Sequence, residues 1–278
     1  MMQYKKGDRS MKKIFIMMLM ICVIMPAAFG AQEINMVGST TVLPIAQATA
    51  EAFMEENKNI EISVGGGGSS IGAKALMSGT CDIANSSRPL KDSEIDQAIS
   101  KGIKPQPHIV AMDGIVVIVN RSNNLKNIPL ADLKAIYTGD IKNWTEVGDS
   151  NQDIVVVSRD TASGTFEAFS VLALGGAKVR ADSLMQASNQ AVLTTVAQTP
   201  NAIGYIGLGY VSDAVNVVTV DGITASKDTV LTMKYPISRP LYMYTGGQAS
   251  GAIKKYLDFV KSAEGQKIVE AQGFVAIA

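Results

Sequence analysis

Short apolar runs alternate along this chain with segments whose apolar side chains recur every three or four positions. Glycine, serine or threonine marks most of the changeovers. Residues 33–37 read as a strand. From residue 42 to 57, Val42, Ile45, Ala46, Thr49 and Phe53 share one helical face, and Pro44 is tolerated in the first turn. Residues 60–64 alternate as a strand and run into Gly65-Gly66-Gly67-Gly68. A helix over 71–77 closes at Gly79, and a buried strand over 82–85 ends at Ser86-Ser87-Arg88-Pro89. Asp92 is placed to cap a helix over 93–100.

The alternation continues through the second half. Residues 108–110 and 113–119 form two extended segments, followed by a helix over 130–137 and a loop at Asn143-Trp144. The apolar strand 154–157 feeds Arg159. Phe166, Phe169 and Leu172 have helical spacing over 166–174. A helix over 188–199, a strand over 203–205 and an edge strand over 215–220 follow. Extended segments at 235–237 and 241–245 lead to two final helices, 249–262 and 265–272. Strands alternating with helices predict α/β layers with mostly parallel sheets. No fixed-period repeat is present.

The first 30 residues stand apart. Lys12-Lys13 precede an apolar run from 14 to 25 and the small residues Ala27, Ala28 and Gly30, the pattern of a cleavable secretory signal cut before Ala31. The run is too short to span a bilayer, which needs about 20 residues. Cys22 follows the bulky pair Met20-Ile21, so a lipid-anchored product is not expected. The mature chain keeps only Cys81, which makes no internal disulfide and reads as a small core residue. At 278 residues and 47% hydrophobic, there is material for one or two globular domains. Five of the 25 Lys/Arg but only one of the 25 Asp/Glu lie in the leader, leaving a mature net charge of −4. A nucleic-acid footprint is therefore absent.

Three glycine/hydroxyl clusters sit where a strand gives way to a helix: Gly38-Ser39-Thr40-Thr41, Gly68-Ser69-Ser70-Ile71-Gly72 and Arg159-Asp160-Thr161-Ala162-Ser163-Gly164-Thr165. Helix starts carry unpaired N–H groups and partial positive charge, so they attract anions. One cluster alone is an ordinary cap, whereas three with an arginine predict a wrapped oxyanion. Gly-Lys-Ser/Thr is missing from the glycine loop, which excludes a nucleotide P-loop, and the spacing is not that of a dinucleotide fingerprint. Arg159 is placed at the carboxyl edge of a sheet, where α/β folds bind ligands, and its guanidinium suits a tetrahedral oxyanion. Arg88 is a second candidate cation, with a surface pairing to Asp92 as the competing assignment. Asp113, flanked by apolar residues, is either a turn aspartate beside Gly114 or an acceptor for a ligand proton. In the second role it would favour hydrogen phosphate over sulfate.

A nucleophile reading pairs Ser163 with His108, the only histidine, but the Gly-x-Ser-x-Gly pattern is absent. One histidine and one mature cysteine make no metal cluster, and no cofactor is expected. Trp144, Tyr205, Tyr210 and Tyr242 are expected in packing rather than in ligand stacking.

The three clusters, with Asp82-Ile83-Ala84, Ser86-Ser87-Arg88 and the stretch from His108 to Gly114, occur in an order that resembles the phosphate-binding proteins of phosphate ABC transporters, the PstS family. The resemblance implies a two-lobed α/β periplasmic-binding-protein fold, each lobe a mostly parallel sheet flanked by helices. Lobe 1 would comprise 31–117 plus 240–278 and lobe 2 118–239, joined by crossings near 117–120 and 237–241. It implies a non-enzymatic, monomeric periplasmic receptor that captures inorganic phosphate and delivers it to a membrane permease. The implied contacts are Thr40, Thr41, Ser69, Ser87, Arg159, Ser163, Gly164 and Thr165, with Ser39 beside them. Some members carry an aspartate where Ser87 stands here, and that carboxylate accepts the phosphate proton. The departure passes the acceptor role to Asp113 and a second cation to Arg88. Sulfate or molybdate remains the alternative ligand, and a sensor without a permease the alternative role.

Overall fold

A computed structural model describes residues 1–2 and 32–277. The basic opening, apolar core and cleavage point of the expected signal lie outside the described residues. The strands are β1 (Gln32–Gly38), β2 (Ile60–Gly67), β3 (Ile83–Ser86), β4 (Gln106–Asn120), β5 (Asn127–Ile128), β6 (Val155–Arg159), β7 (Leu184–Gln186), β8 (Ala202–Gly207), β9 (Val215–Val220) and β10 (Ser238–Thr245). The helices are α1 (Leu43–Glu56), α2 (Ser69–Ser78), α3 (Asp92–Ser100), α4 (Leu130–Thr138), α5 (Gly164–Leu172), α6 (Asn189–Gln198), α7 (Lys227–Leu231), α8 (Gly251–Lys261) and α9 (Ala263–Ala271).

One mixed sheet runs β2-β1-β3-β10-β4-β8-β6-β7, and β9 joins β4 on one side and β5 on the other. The outer pairs β1–β2, β1–β3, β6–β7 and β6–β8 are parallel, as strand–helix alternation predicts. The middle is not: β10 is antiparallel to β3 and β4, and β4 is antiparallel to β8 and β9. These two strands return the chain between halves, so they run against their neighbours. Because β9 is paired on both sides, residues 215–220 are not a bare edge.

Two cores meet along β4 and β10. Ile34, Met36, Ile45, Phe53, Ile83, Val110, Ala111, Leu241, Tyr256 and Val260 form one. Ile115, Val117, Ile136, Trp144, Phe169, Ile203, Tyr205, Tyr235 and Ile237 form the other. The change of core falls between Ala111 and Ile115 on β4 and between Ile237 and Leu241 on β10. Asp113 faces Arg239 in the register between those two strands. The segment 117–120, where sequence places the first crossing, lies inside β4 and pairs with β9.

Local chemistry explains most boundaries. Gly79 and Gly139 end α2 and α4 in the left-handed conformation. Ser188 caps α6 by accepting from the Ala191 N–H. Helix α3 starts at Asp92 itself, and it is Glu94 whose carboxylate reaches back to the Lys91 N–H at 2.9 Å. Trp144 is buried and donates its indole N–H to the Asn201 carbonyl, and Tyr205 stacks on Phe169 at 3.9 Å. Cys81 is buried, and burial pushes its thiol up to about 11. Among the described residues no helix is long and apolar enough to cross a membrane, and no metal-ligand cluster of His, Cys, Asp or Glu forms.

Candidate functional site

The three predicted helix starts converge. Thr41, just before α1, places its Oγ1 2.8 Å from Thr165 Oγ1 in the first turn of α5. Ser69, which opens α2, accepts the Ser87 N–H at 3.0 Å, and its Oγ lies 3.3 Å from Ser87 Oγ. Glycine is required where these elements meet. A Cβ on Gly164 would stand 2.2 Å from Ser69 Oγ and 2.7 Å from Ser87 Oγ. A Cβ on Gly68, at φ +107°, would stand 2.5 Å from the Ala162 carbonyl. Ser70 N–H donates to that same carbonyl at 3.1 Å, so α2 and the α5 turn are also joined through backbone.

Ser39 and Ser163 serve the helices themselves. Ser39 Oγ accepts from the N–H groups of Thr41 and Val42, and Ser163 Oγ accepts from the Phe166 N–H. Both are N-caps. His108 instead contacts Thr245 Oγ1 through Nε2 at 3.1 Å, so no serine–histidine pair exists between Ser163 and His108.

Arg159 ends β6 among these groups and is 1% exposed. Its Nη2 donates to Thr40 Oγ1 at 3.2 Å and to the Ala187 carbonyl at 2.9 Å, and its Nε donates to the Gln186 carbonyl at 3.0 Å. Its Nη1 is buried with no hydrogen-bond partner. No carboxylate pairs with it among the described ion pairs. Burial pulls its pKa down, against the opposing pull of Tyr205 and Asp160, but a guanidinium stays charged at neutral pH. A buried cation with an orphan donor is costly alone and is relieved by an anion.

Asp113 and Arg88 have other partners than the sequence assigned. Asp113 Oδ2 accepts from Arg239 Nε at 3.0 Å and Nη2 at 2.8 Å, and its Oδ1 accepts from the Leu208 N–H at 2.9 Å. Burial raises its pKa and Arg239 opposes that rise. Every contact it makes is from an N–H donor, which fits a carboxylate facing a guanidinium. Arg88 is likewise buried, but its guanidinium turns to Glu94, at 2.8 Å through both Nη atoms, and to Glu167, whose Oε2 is 2.5 Å from Nε. The partner is Glu94 rather than Asp92, and Glu167 comes from α5. Its Nη2 also donates to Ser70 Oγ at 3.1 Å, so Arg88 meets the second helix start from the side of these carboxylates.

Two residues outside the sequence reading belong to the cluster. Arg239, 4% exposed, donates through Nη2 to Thr165 Oγ1 at 3.0 Å and Thr41 Oγ1 at 3.4 Å, and through Nη1 to the carbonyls of Ser87 and Gly164. Asn189, fully buried at the start of α6, donates to Thr41 Oγ1 at 3.0 Å and Thr40 Oγ1 at 3.4 Å. An arginine inside the apolar stretch from Tyr235 to Leu241 was a legible signal for Arg239. Asn189 carried none, since asparagine after a capping serine is ordinary.

The assembled site is a buried ring of hydroxyls and helix N-termini around one uncompensated arginine, with a second arginine neutralised by Asp113. Such an arrangement can hold a small tetrahedral oxyanion. The chain matches the model of a PBP superfamily domain over residues 26–264. It is 38% identical over 243 residues to the phosphate-binding protein PstS of Bacillus subtilis, covering 86% of this chain and 79% of that one. It is 31% identical over 283 residues to PstS of Borreliella burgdorferi, covering 96% and 99%. Among solved structures it resembles a Clostridium perfringens substrate-binding protein of the phosphate ABC transporter class with phosphate bound, at TM-score 0.83 and 35% identity, covering 89% of this chain and all of that one. An ABC-type phosphate transport receptor from Vibrio cholerae follows at TM-score 0.73 and 29% identity, covering 87% and 99%.

Proposed function

Because the chain belongs to the PstS phosphate-binding proteins of the PBP superfamily, we propose that its hydroxyl cluster is the phosphate site of an extracytoplasmic transport receptor. The receptor captures inorganic phosphate and hands it to the membrane permease of an ABC transporter. It works by binding and closure, not by catalysis. Export through a leader cleaved before Ala31 to the periplasm, and action as a monomer, complete this reading.

The ligand contacts are the hydroxyls of Thr40, Thr41, Ser69, Ser87 and Thr165, the backbone of Gly164 at the α5 N-terminus, and Arg159. Ser39 and Ser163 shape two of the helix starts. The orphan Nη1 of buried Arg159 is the observation that carries the assignment. Two lobes, expected from sequence as 31–117 with 240–278 and 118–239, close over the ion, with Ile115 and Val117 packing in the core of the second lobe rather than the first. The core change near Asp113 on β4 and Arg239 on β10 supports hinge crossings at those residues. Closure is favoured because the ion touches residues of both lobes, so it binds the closed form better than the open one.

Calorimetric titration of phosphate, arsenate and sulfate tests the assignment. Tight phosphate binding with arsenate as a competitor is expected. No binding of any tetrahedral oxyanion would overturn it. A second reading, a receptor for sulfate or molybdate, is favoured by the engagement of Asp113 with Arg239, since no unpaired carboxylate then faces the ion. Sulfate bound more tightly than phosphate would select it.

A further inference from the structure

Outside the hydroxyl ring, four charged side chains meet across the two lobes as read above. Arg88, just beyond β3, and Lys91 and Glu94, at the start of α3, belong to the first lobe. Glu167, in the first turn of α5, belongs to the second. Within the first lobe the pairing is tight. Glu94 accepts from both Nη atoms of Arg88 at 2.8 Å and from the Lys91 N–H at 2.9 Å. The contact across the lobes is of another kind. Glu167 Oε2 lies 2.5 Å from Arg88 Nε, yet that N–H has no aligned hydrogen-bond acceptor, so the attraction is that of an ion pair alone. Glu167 Oε1 lies 2.8 Å from Nζ of the half-exposed Lys91, which has no other ion pair among the described residues. Glu94 therefore holds Arg88 whether the lobes are open or closed, whereas Glu167 reaches it only when they are closed. Without Glu167, the group of Arg88, Lys91 and Glu94 carries one surplus positive charge. With it, the four charges cancel. The quartet borders a cleft walled by Pro89 and Pro240 on one side and by Val171 and Leu172 on the other, so these pairs line the seam between the lobes rather than the ring.

We propose that Glu167 is a positioning residue that locks the closed receptor: with Arg88 and Lys91 it forms an interlobe ion-pair latch that must break before phosphate leaves. The proposal rests on the two-lobed phosphate-receptor reading above. Glu167 is not among the ligand contacts. It acts through α5, whose first residues, Gly164 and Thr165, lie within one turn of it. On the other lobe, Arg88 is the residue after Ser87. The latch thus fastens the immediate neighbours of ligand-contacting groups on both sides of the cleft. Its effect on the two rates is unequal. Arriving phosphate meets the open form, in which the latch is unmade, so association does not depend on it. Departure requires opening, and opening breaks both ion pairs, so the latch acts on dissociation. The pair to Arg88, with a buried cation, is the stronger half. The pair to Lys91, whose cation is half exposed, is the weaker and the more easily screened by salt.

The test is the release of radiolabelled phosphate from the mature protein into excess unlabelled phosphate, with the association rate measured alongside. Glu167→Gln is expected to speed release about fivefold and to leave association unchanged. Lys91→Ala should speed release about twofold, as befits a half-exposed cation. Because Lys91 lies at the surface, its variant keeps the test open should Glu167→Gln not fold. The double variant should release more slowly than the product of the two single effects, since Lys91 acts only through Glu167. Added sodium chloride should speed release from the wild type, and do so less in Glu167→Gln. Release at the wild-type rate from both single variants, a loss of affinity carried by slower association, or strictly additive effects would overturn the proposal and leave Glu167 a stabiliser of its helix. A wild-type protein that holds sulfate but not phosphate would instead sink the phosphate reading, and the latch would then be judged by the same rates with labelled sulfate.

Discussion

Arg88 and Arg159 are both buried and both sit at or just beyond the end of a strand of the same sheet, a few residues before a helix, yet the structure treats them oppositely. Around Arg88, two carboxylates from different helices close the electrostatics, and Lys91 joins Glu167 at 2.8 Å. Around Arg159 there are only neutral acceptors, and one terminal nitrogen has none. A compensated buried arginine is a clasp, because its neighbours already supply what it lost on leaving water. An uncompensated one stores that cost until an anion arrives. The same residue type is thus compensated by carboxylates in one place and left without them in the other, which is what the proposed phosphate site builds on.

The sharpest way to break the contrast is Arg159→Ala. Phosphate affinity should fall by on the order of a hundredfold or more while thermal unfolding shows the fold retained. Affinity within a factor of two of wild type would move the site elsewhere. Next comes Gly164→Ala, whose methyl would displace Ser69 and Ser87; a loss of about tenfold or more in affinity is expected from titration. At the other arginine, Glu167→Gln should act mainly on stability. Denaturant unfolding should show a loss of about 1–3 kcal/mol, since one cation-bonded partner of a part-buried cluster is neutralised. A hundredfold loss of phosphate affinity in this variant would erase the distinction between clasp and ligand site.

Acid titration sharpens the comparison further. Burial alone would raise Glu94, but its hydrogen bonds from Arg88 and the Lys91 N–H outweigh burial, so its folded-state pKa is lowered. A lowered pKa contributes stability above the unfolded value, lost as pH falls through the folded one. Stability should therefore drop below about pH 4, and Glu94→Gln should shrink that drop in acid unfolding curves. The smallest expected effect is at Cys81, whose burial and raised thiol pKa predict slow alkylation of the folded protein compared with the denatured chain. Equal rates would remove it from the core.

The helix starts were legible because glycine, serine and threonine serve local needs: a tight turn, a close approach, a cap within a few residues. For the same reason Gly79, Ser163 and Ser188 sit where periodicity puts them. Sequence reads two extended segments, 108–110 and 113–119, with Ala111 and Met112 between them. Strand β4 runs continuously through both, and the Asp113 carboxylate within it is satisfied by Arg239, 126 residues away in sequence.

What the chain determined unaided was the order of strands and helices, the three helix starts marked by glycine and hydroxyl residues, and the place of Arg159 at the end of its strand, all products of interactions within a few residues. Only the folded arrangement decided that Asp113 belongs to Arg239, that Arg88 belongs to Glu94 and Glu167, and that Asn189 reaches Thr40 and Thr41. Charges and amides choose their partners by distance in space under the cost of burial, and that distance is set by sheet register and the crossing of two strands, not by spacing along the sequence.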